Sequence, residues 1–350
     1  MKLKLIFFIT FLFAICSSIN SQILLIEDFN YPVGDTIGAH GWVTFSSWVN
    51  PMTITSGGLT YSGYSGSGIG NAVKLLSTGQ DAYKSLPNPE TTNNVYVAFM
   101  VKIDSAKPAG DYFFALLPST STTLYTARVY AKDTSGAISF GLSKSSATGG
   151  PIVYSTTTYQ YGVTYLLVVK YTFLTGSTTD DEMRLYVFSA PGLPQTEPVT
   201  PTVGPVTGTA ADVSDIGRVA LRQGTASNAP VLVLDGIKAT KTWGNIVSGL
   251  SQIQTSVPEK FSLAQNYPNP FNPVTSIRFS LPAAGYTTLK VYNALGQEVQ
   301  TLLSSYLNNG NYEYKFDASG LTSGTYFYRL DLISGGNKLF SDIKKMMLIK

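Results

Sequence analysis

The sequence predicts an all-β protein built from two sandwich domains. Only 13% of the 350 residues are charged, 12% are aromatic, and tyrosine occurs 22 times. Short apolar stretches separated by Gly, Pro, Asn and Ser recur along the chain, and after the first residues no stretch shows a helical apolar period. Aromatic and β-branched residues favour strands and the separating residues favour turns, so the pattern indicates a strand-rich chain.

The first residues have the pattern of a secretory signal peptide. Two lysines precede an apolar run from Leu5 to Ile15, and small polar residues follow it. The run is too short to span a bilayer as a helix, so residues 1–21 are expected to be removed during export. The only cysteine, Cys16, lies inside this segment, and the bulky Ile15 before it disfavours a lipid anchor. Disulfides are therefore not expected in the mature chain.

The central residues, 22–243, are predicted to form one large sandwich. In the stretch VYVAFMVKI, every second residue from Val95 to Ile103 is apolar, which places a continuous apolar face against a core. About a dozen such strands are too many for one open sheet, so two stacked sheets are expected. The clearest predicted strands are residues 23–29, 95–103, 112–117, 124–132, 137–143, 163–171, 183–189 and 231–240.

Three irregular segments accompany these strands. The Gly-rich residues 63–72 are interpreted as a tight loop, because they lack the lysine and helix of a phosphate-binding loop. The Pro- and Thr-rich residues 191–212 are interpreted as a long surface loop, since proline cannot donate to a strand ladder. Residues 244–260 are interpreted as an interdomain linker. A smaller module at 261–350 follows, and its roughly five to seven predicted strands fit an immunoglobulin-like sandwich.

The two ends of the central domain resemble those of the concanavalin A-like lectin/glucanase jelly roll. The resemblance rests on EDFNYPVGDTIGAHGWVTFS (27–46) and VLVLDGIKATKTW (231–243), which are expected to pair as neighbouring strands. That fold hosts lectins, hydrolases, lyases and scaffolds, so it does not settle the function. The resemblance also implies a structural calcium ion shared by these strands, with Glu27, Asp28 and Asp235 as candidate ligands. A turn-capping role is the alternative for Asp235.

Catalytic signatures are missing from the sequence of the central domain. Glucanases of this fold carry carboxylates alternately along one strand, as in E-x-D-x-x-E, and no such pattern occurs. Asp180, Asp181 and Glu182 are consecutive and point to opposite faces, so we interpret them as a solvated hairpin turn. His40 is the only histidine, which disfavours both zinc and a Ser/His nucleophile. Carboxylates that are distant in sequence and meet in space stay an alternative.

A binding function has support from aromatic residues near the beginning of the domain. Trp48, Tyr61 and Tyr64 lie in stretches rich in Gly, Ser and Asn. Aromatic faces with nearby hydroxyl and amide groups suit sugars, which present apolar C–H faces and polar rims. These three residues are the candidate glycan contacts, and a place in the core is the alternative. For Trp42, which is close to them in sequence, the core is favoured.

The terminal module resembles the type A C-terminal sorting domain of the type IX secretion system. Four motifs occur in the family's order: FSLAQNYPNPFNPVTSIRFSLP, LKVYNALGQEVQTL, LTSGTYFYRLD and the basic ending KKMMLIK. Proline fixes φ and removes a donor, so the first motif must be a rigid, extended entry to a strand. The residues assigned to the sorting signal are Pro268, Asn269, Pro270, Asn272, Pro273, Gly296, Gly324, Tyr326, Lys344, Lys345 and Lys350.

The resemblance implies export across both membranes of a Gram-negative bacterium. The partners would be the type IX machinery and a surface sortase that removes the sorting domain, and the cargo would be released or attached to the surface. The net charge of +3, without a basic cluster, excludes nucleic acid as an expected partner. The expected cargo is a non-catalytic module that binds glycan or matrix material. The alternatives are a polysaccharide-degrading hydrolase or lyase and a structural adhesin without a small ligand.

Overall fold

A computed structural model describes most of the chain after the predicted signal peptide. The predicted signal peptide, residues 1–21, and the candidate contact Trp48 lie outside the described residues. The described residues are 23–46, 49–61, 64, 66–145, 150–189, 192–194, 196–247, 249–254, 257–307, 309–318 and 321–350.

The first domain is a jelly-roll sandwich, as the sequence predicts. A single 3₁₀ turn, Ile37–His40, follows its first strand. The strands are β1 Ile23–Glu27, β2 Val43–Phe45, β3 Thr53–Thr55, β4 Ala72–Leu75, β5 Asp81–Glu90, β6 Asn94–Ser105, β7 Asp111–Leu117, β8 Thr126–Thr134, β9 Ala137–Ser143, β10 Val153–Tyr154, β11 Thr164–Thr172, β12 Glu182–Phe188, β13 Val203–Val206, β14 Ile216–Leu221 and β15 Val231–Thr240.

These strands form two stacked antiparallel sheets. The first sheet has the order β13-β12-β11-β6-β15-β4-β3, with β1 also beside β15, and the second has the order β10-β9-β8-β7-β14-β5-β2. The register of β1 with β15 places Ile26 opposite Lys238 and Glu27 opposite Ile237. The expected pairing of the first and last strands of the domain is therefore confirmed.

The alternation seen in the sequence determines which side chains enter the core between the sheets. On β6, the residues from Val95 to Ile103 with odd numbers are fully buried in that core. Phe99 stacks on Phe114 of the facing sheet, with ring centroids 4.3 Å apart. The even-numbered side chains of β6 point away from the core and carry a second apolar set that includes Tyr96 and Met100.

The outward faces of the two sheets differ in how they are covered. The outer face of the first sheet packs against a separate buried cluster, which includes Trp243 and Ile246 of the helix α1, Trp243–Ile246. The segment 192–206 also crosses this face, because the Glu197 carboxylate accepts hydrogen bonds from Tyr96 Oη and Tyr186 Oη at 2.6 Å each. The predicted surface loop at 191–212 is thus partly structured, and it contributes β13 to the first sheet.

The segment predicted as a linker, residues 244–260, contains regular structure. It begins inside α1, and Leu250–Gln254 forms strand β16, which pairs with the second domain. Leu250 is buried in the core of that domain. The second sandwich therefore begins about ten residues before the predicted boundary of 261, because an apolar residue flanked by polar ones supplied an edge strand.

The second domain is a small sandwich of two four-stranded sheets. Its sheets have the orders β16-β21-β18-β17 and β20-β19-β22-β23. On β18 (VTSIRFSL) alternate residues are buried, as expected for a strand with one face against a core. The remaining strands are β17 Ser262–Leu263, β18 Val274–Leu281, β19 Gly285–Asn293, β20 Glu298–Leu307, β21 Gly310–Asp317, β22 Gly324–Ser334 and β23 Asn337–Leu348.

Strand β1 lies between the two domains. Leu24 and Leu25 are buried in the jelly-roll core, whereas Ile23 is buried in the core cluster of the second domain. Polar contacts support the junction: Lys238 Nζ donates to Leu250 O at 3.3 Å, and Asn30 Nδ2 donates to Ile253 O. The residues just after the predicted signal peptide are therefore part of both folding units.

Candidate functional site

The predicted ring contacts Tyr61 and Tyr64 are placed in the interior. Their exposed fractions are 2% and 3%, and both belong to the apolar cluster on the outer face of the first sheet. Tyr64 Oη donates to Gly236 O at 2.7 Å. Their interpretation as glycan contacts is corrected by this burial, because neither ring can lie against a sugar. The same Gly/Ser-rich stretch that suggested a binding loop instead carries rings that cover the sheet.

Glu27, one of the candidate calcium ligands, is committed to internal partners. Its Oε1 accepts a hydrogen bond from Phe29 N at 2.9 Å, and its Oε2 accepts from Tyr31 Oη at 2.9 Å and Trp42 Nε1 at 3.2 Å. Lys84 Nζ pairs with the same Oε2. Three neutral donors and the Lys84 cation thus satisfy this buried carboxylate, which corrects its assignment as a calcium ligand.

Asp235 has a different environment, one rich in oxygen atoms. It is fully buried, and within the described residues it accepts hydrogen bonds from the backbone N–H groups of Leu59 and Gly236, both at 2.7 Å. Burial raises the pKa of Asp235 to about 9, and the nearby Asp28 carboxylate contributes in the same direction. A Cβ on Gly58 would lie 3.1 Å from Asp235 Oδ2 and from the carbonyl oxygens of the consecutive residues 69 and 70, so these oxygens lie close together.

The acidic run at the start of β12 is not a solvated turn. Asp181 is only 1% exposed, and it accepts hydrogen bonds from Tyr171 Oη at 2.5 Å and Leu174 N at 2.6 Å. Carboxylate oxygens of Asp180, Asp181 and Asp212 lie within 4.8 Å of one another, and Lys144 Nζ forms an ion pair with Asp212. This network holds the hairpin against the loop that contains Asp212, which corrects the interpretation of the run as solvated.

The predicted sorting-signal residues meet along the edge of the last strand. Asn269 acts as a partial strand neighbour: its Oδ1 accepts from Met347 N at 2.9 Å and its Nδ2 donates to Lys345 O at 3.3 Å. Phe271 extends this pairing, since its N donates to Met347 O at 2.9 Å and its O accepts from Ile349 N at 3.0 Å. The proline-rich entry therefore closes part of the open edge of β23.

The other sorting motifs lie at the same end of the sandwich. Gly296 takes a positive φ of 77° in the turn between β19 and β20, as predicted for this position. Gly324 begins β22 opposite Leu348, and Tyr326 Oη donates to Thr322 O at 2.8 Å. Lys344 pairs with Asp342 at 3.1 Å. The solvent-exposed members of the predicted signal are Pro268, Asn269, Pro270, Asn272, Gly296, Gly324, Lys345 and Lys350.

A surface that the sequence did not suggest lies on the outer face of the second jelly-roll sheet. Four tyrosines on different strands contribute to it: Tyr154 on β10, Tyr130 on β8, Tyr112 on β7 and Tyr83 on β5. The strand register sets Tyr130 opposite Tyr112, and both tyrosines lie in a small apolar cluster outside the main core. Gly141 on β9 leaves room for the Tyr154 ring, because a Cβ there would lie 2.7 Å from it.

Four cations lie over these rings, namely Arg128, Lys132, Arg218 and Arg222. The guanidinium carbon of Arg128 is 4.7 Å from the centroid of the Tyr112 ring and 5.7 Å from that of Tyr125. Arg222 also approaches Tyr112, at 4.2 Å, while Arg218 lies 4.2 Å from the centroid of Tyr83. Lys132 Nζ lies 3.9 Å from the centroid of Tyr154. We call these four tyrosines and four cations the basic-aromatic face.

The cations of the basic-aromatic face are unequally paired. Arg222 forms an ion pair with Asp111 at 2.9 Å. Within the part of the chain that the structure describes, no ion pair is found for Arg128, Lys132 or Arg218. Arg218 Nη1 donates to Ser121 O at 2.7 Å, and its Nε is buried without a hydrogen-bond partner. The face therefore carries positive charge that the described chain does not neutralise.

A cavity of about 440 Å³ adjoins one end of the basic-aromatic face. Tyr125 and Arg128 line it on the side of the face, and Lys144 and Ala211 line it on the other side. Leu124 at its lip is 61% exposed. Cavities of a few hundred Å³ that combine apolar walls with a few charged groups are typical of ligand sites.

The tyrosines of this region are held in the protonated form. Burial raises the pKa of Tyr154 to about 12 and also raises the pKa of Tyr112 and Tyr125. A phenol with a raised pKa stays neutral at pH 7, so it is not present there as a phenolate base. Burial likewise raises the pKa of the nearby Asp81 carboxyl group. Burial thus keeps these groups uncharged to a higher pH than in water.

Comparisons with known proteins identify the terminal module. Residues 265–346 match the family described as the secretion system C-terminal sorting domain, which confirms the resemblance of the terminal module. The chain is therefore exported by the type IX system to the cell surface or beyond it. Within the described residues, no helix has the length and apolar character needed to cross a membrane. No curated protein matches the sequence.

The jelly-roll part is similar to several solved structures at low identity. A structure of the alginate lyase Aly36B is 13% identical and covers 63% of this chain and 98% of its own, with a TM-score of 0.37. Domain 4 of AbnA, an extracellular arabinanase from Geobacillus stearothermophilus, in complex with arabinotriose, is 13% identical. It covers 65% of this chain and 97% of its own, with a TM-score of 0.36. A SAP-like pentraxin from Limulus polyphemus is 12% identical and covers 47% of this chain and 74% of its own, with a TM-score of 0.31. None of these likenesses indicates a ligand or a reaction for this chain.

Proposed function

We propose that the exported protein binds glycan or other matrix material through its basic-aromatic face and does not catalyse a reaction on it. The observation that carries this proposal is the face itself, to which five strands contribute tyrosines and cations. Tyr83, Tyr154 and the four cations are partly exposed, and they surround the buried Tyr112 and Tyr130. The outer face of the first sheet is covered by the chain, whereas this one is not buried under other elements to the same extent.

The arrangement suits a carbohydrate for two reasons. Sugars offer hydroxyl groups, which accept hydrogen bonds from guanidinium and phenol groups, and apolar C–H faces, which pack on aromatic rings. The side chains are also restrained before binding, because each cation rests on a ring, so less conformational entropy is lost when a ligand binds. The raised pKa of Tyr112 and Tyr125 argues against the alternative of a lyase that uses a phenolate base.

A glycan array probed with residues 22–350, the chain without its predicted signal peptide, tests this proposal. Tyr154 is the most suitable residue to change, because it lies on a two-residue edge strand and is only partly buried. Tyr154→Ala is expected to weaken glycan binding by roughly tenfold, since a stacking surface and the support of Lys132 are lost. Tyr292→Ala is the matched control, because Tyr292 carries Arg329 at 5.1 Å on the surface of the sorting domain.

Two outcomes of that experiment would contradict the proposal. Absence of binding to every glycan would discard the binding function and leave the structural adhesin. Release of reducing sugar or of unsaturated oligosaccharide from a bound polymer would discard the non-catalytic part of the proposal and establish an enzyme.

A structural calcium ion also remains a proposal, with its ligand set revised. Asp235, Asp28 and the carbonyl oxygens of residues 69 and 70 supply the oxygen ligands that calcium prefers, whereas Glu27 is satisfied internally. The support is that Asp235 is buried among oxygens and, within the described residues, accepts hydrogen bonds from two backbone N–H groups. A calcium ion would hold β15 to the segment before β4, and would leave the basic-aromatic face on the other sheet unaffected.

A further inference from the structure

We infer that the glycan bound by the basic-aromatic face is an acidic polysaccharide, with carboxylate or sulfate groups on its sugars. This inference rests on the proposed binding function and adds the class of ligand. Its basis is that Arg128, Lys132 and Arg218 are held on one surface and form no ion pair within the described residues, whereas Arg222 on the same surface is neutralised by Asp111.

Positioned cations without acidic partners are costly to assemble. Arg128 and Arg222 lie over the same Tyr112 ring, and the ion pair of Arg222 with Asp111 compensates only one of these two charges. Stacking on tyrosine orients each cation without reducing its charge, which is how the face differs from an ordinary surface ion pair. An anionic ligand would supply the missing charge.

The spacing of the three cations favours a polymer over a small anion. Arg128 and Lys132 are four residues apart on the same face of β8, which corresponds to about 13 Å along a strand. Arg218 is on β14, two strands away from β8, which adds a lateral separation of about 10 Å. A single phosphate or sulfate cannot touch groups so far apart, whereas a chain with repeated charges can contact all of them.

The hydrogen-bond donors of the two arginines also favour an anionic ligand. A guanidinium has five N–H donors in a planar fork that matches a carboxylate or sulfate. Arg218 uses Nη1 for Ser121 O and has a buried Nε without a partner, and Arg128 uses Nε for Tyr125 O at 3.2 Å. No other hydrogen bond from the Arg128 or Arg218 guanidinium is found within the described residues. Hydroxyl groups of neutral sugars would satisfy donors but would leave the charge uncompensated.

The experiment measures binding of the full mature chain to matched polymers by biolayer interferometry. The probes are a polyuronate, the same polymer after its carboxyl groups are reduced to alcohols, a sulfated neutral glucan, and duplex DNA. We expect binding to the polyuronate or the sulfated glucan to be at least tenfold tighter than to the carboxyl-reduced polymer, and to weaken as salt increases. The preference between the first two probes identifies the anionic group.

Charge-removing variants connect the effect to named residues. Arg128→Gln, Lys132→Gln and Arg218→Gln are each expected to weaken binding to the acidic polymer about tenfold and to reduce its salt dependence. Lys74→Gln on the first sheet is the matched control and is expected to change neither. Arg128→Lys keeps the charge and should retain more binding than Arg128→Gln. The thermal unfolding of each variant shows whether the fold is intact.

The possible results distinguish a wrong class of ligand from a wrong binding function. Equal affinity for the acidic and carboxyl-reduced polymers would overturn the acidic class and leave the glycan-binding function in place. Duplex DNA bound as tightly as the acidic glycan would also overturn it, because the face would then select charge alone. Binding to none of the polymers would remove the proposed function itself.

Discussion

The two domains of this protein are both antiparallel sandwiches, yet they use their charged side chains differently. In the sorting domain several cations on the sheet surfaces are paired with carboxylates, as in Arg278–Glu313 at 2.8 Å and Lys290–Glu298 at 2.9 Å. On the basic-aromatic face of the jelly roll, three cations lie on tyrosine rings without such partners. Under the proposed function, the ring-supported cations without a carboxylate partner among the described residues belong to the surface that meets the ligand.

Arg329 of the sorting domain is a ring-supported cation that also has a carboxylate partner. It lies 5.1 Å from the centroid of the Tyr292 ring, as the cations of the basic-aromatic face lie on theirs, but it also forms an ion pair with Asp331 at 2.8 Å. Cation–π contact by itself therefore does not identify a binding surface. The lack of a carboxylate partner is the feature that distinguishes Arg128, Lys132 and Arg218 from Arg329.

The sorting domain gives the largest expected effect. Asn269→Ala removes both side-chain hydrogen bonds to β23, so the proline-rich entry loses its attachment to the last strand. We expect most of the protein to fail to reach the medium or the cell surface of a host with a type IX system. Immunoblots of the cell and medium fractions measure this.

Asn337→Ala provides the control for that variant. Asn337 is exposed at the opposite end of β23, and its replacement is expected to leave export unchanged. Normal export of Asn269→Ala would show that the contact between the motif and the last strand is not part of the signal. The contrast between a delivering and a binding domain would then lose its structural basis.

Removal of the proposed calcium ion is expected to have the next largest effect. The effect is a loss of stability of the jelly-roll domain alone. At a calcium concentration of 100 times the dissociation constant, a single site stabilises the folded state by about 2.7 kcal/mol. For a domain of this size that corresponds to a rise in Tm of about 5–11 °C. Calorimetry with calcium and with EDTA measures the shift in the mature chain.

Two variants assign the calcium effect to its ligands. Asp235→Asn is expected to abolish the calcium-dependent shift, whereas Glu27→Gln is expected to lower Tm without removing that shift, because Glu27 is bound to internal donors. A calcium shift that survives in Asp235→Asn would contradict the revised ligand set. A Tm that does not respond to calcium would remove the ion altogether.

Replacement of Glu197 is expected to have the smallest effect on stability. It tests how segment 192–206 is held on the outer face of the first jelly-roll sheet. Despite its partial burial, hydrogen bonds from Tyr186, Tyr96 and Lys170 lower the pKa of Glu197. A carboxylate with a lowered pKa stabilises the folded state above its ordinary pKa, and this contribution is lost as the pH falls. Glu197→Gln should therefore cost about 1 kcal/mol at pH 7, and the difference from the parent chain should vanish in acid.

Urea unfolding between pH 3 and pH 7 measures the Glu197 effect. A pH-independent difference between the two chains would show that Glu197 does not anchor segment 192–206 through its charge. Lys74→Gln, on the same sheet and without an ion pair among the described contacts, serves as a control whose stability difference should not depend on pH.

The fold could be predicted from the sequence more completely than the site. Alternation in stretches such as residues 95–103 predicts a strand with one core face, and that face was found as expected. The β16 strand and β13 were missed, because a short edge strand among polar residues leaves little periodic signal. The sorting motif was recognised because its residues are contiguous and their chemistry restricts the backbone locally.

The basic-aromatic face could not be predicted, because it depends on the order of strands. Tyr83 and Arg218 are 135 positions apart in the sequence, and they meet only because β5 pairs with β14 in the second sheet. The alternation on β8 held a partial signal: Arg128, Tyr130 and Lys132 share one parity opposite the buried Val129. The sequence could show that this face is polar and aromatic, but the sheet order was required to bring its partners together.

Measuring export and binding together in two variants tests the central claim most directly, namely that one domain delivers and the other binds an acidic glycan. The account predicts that the triple change Arg128→Gln, Lys132→Gln and Arg218→Gln abolishes binding to a polyuronate or sulfated glucan and leaves export normal. It predicts the reverse for Asn269→Ala: failed export, with unaltered binding by the purified chain. Loss of both properties in either variant, or an exported triple variant that still binds with full affinity, would contradict it.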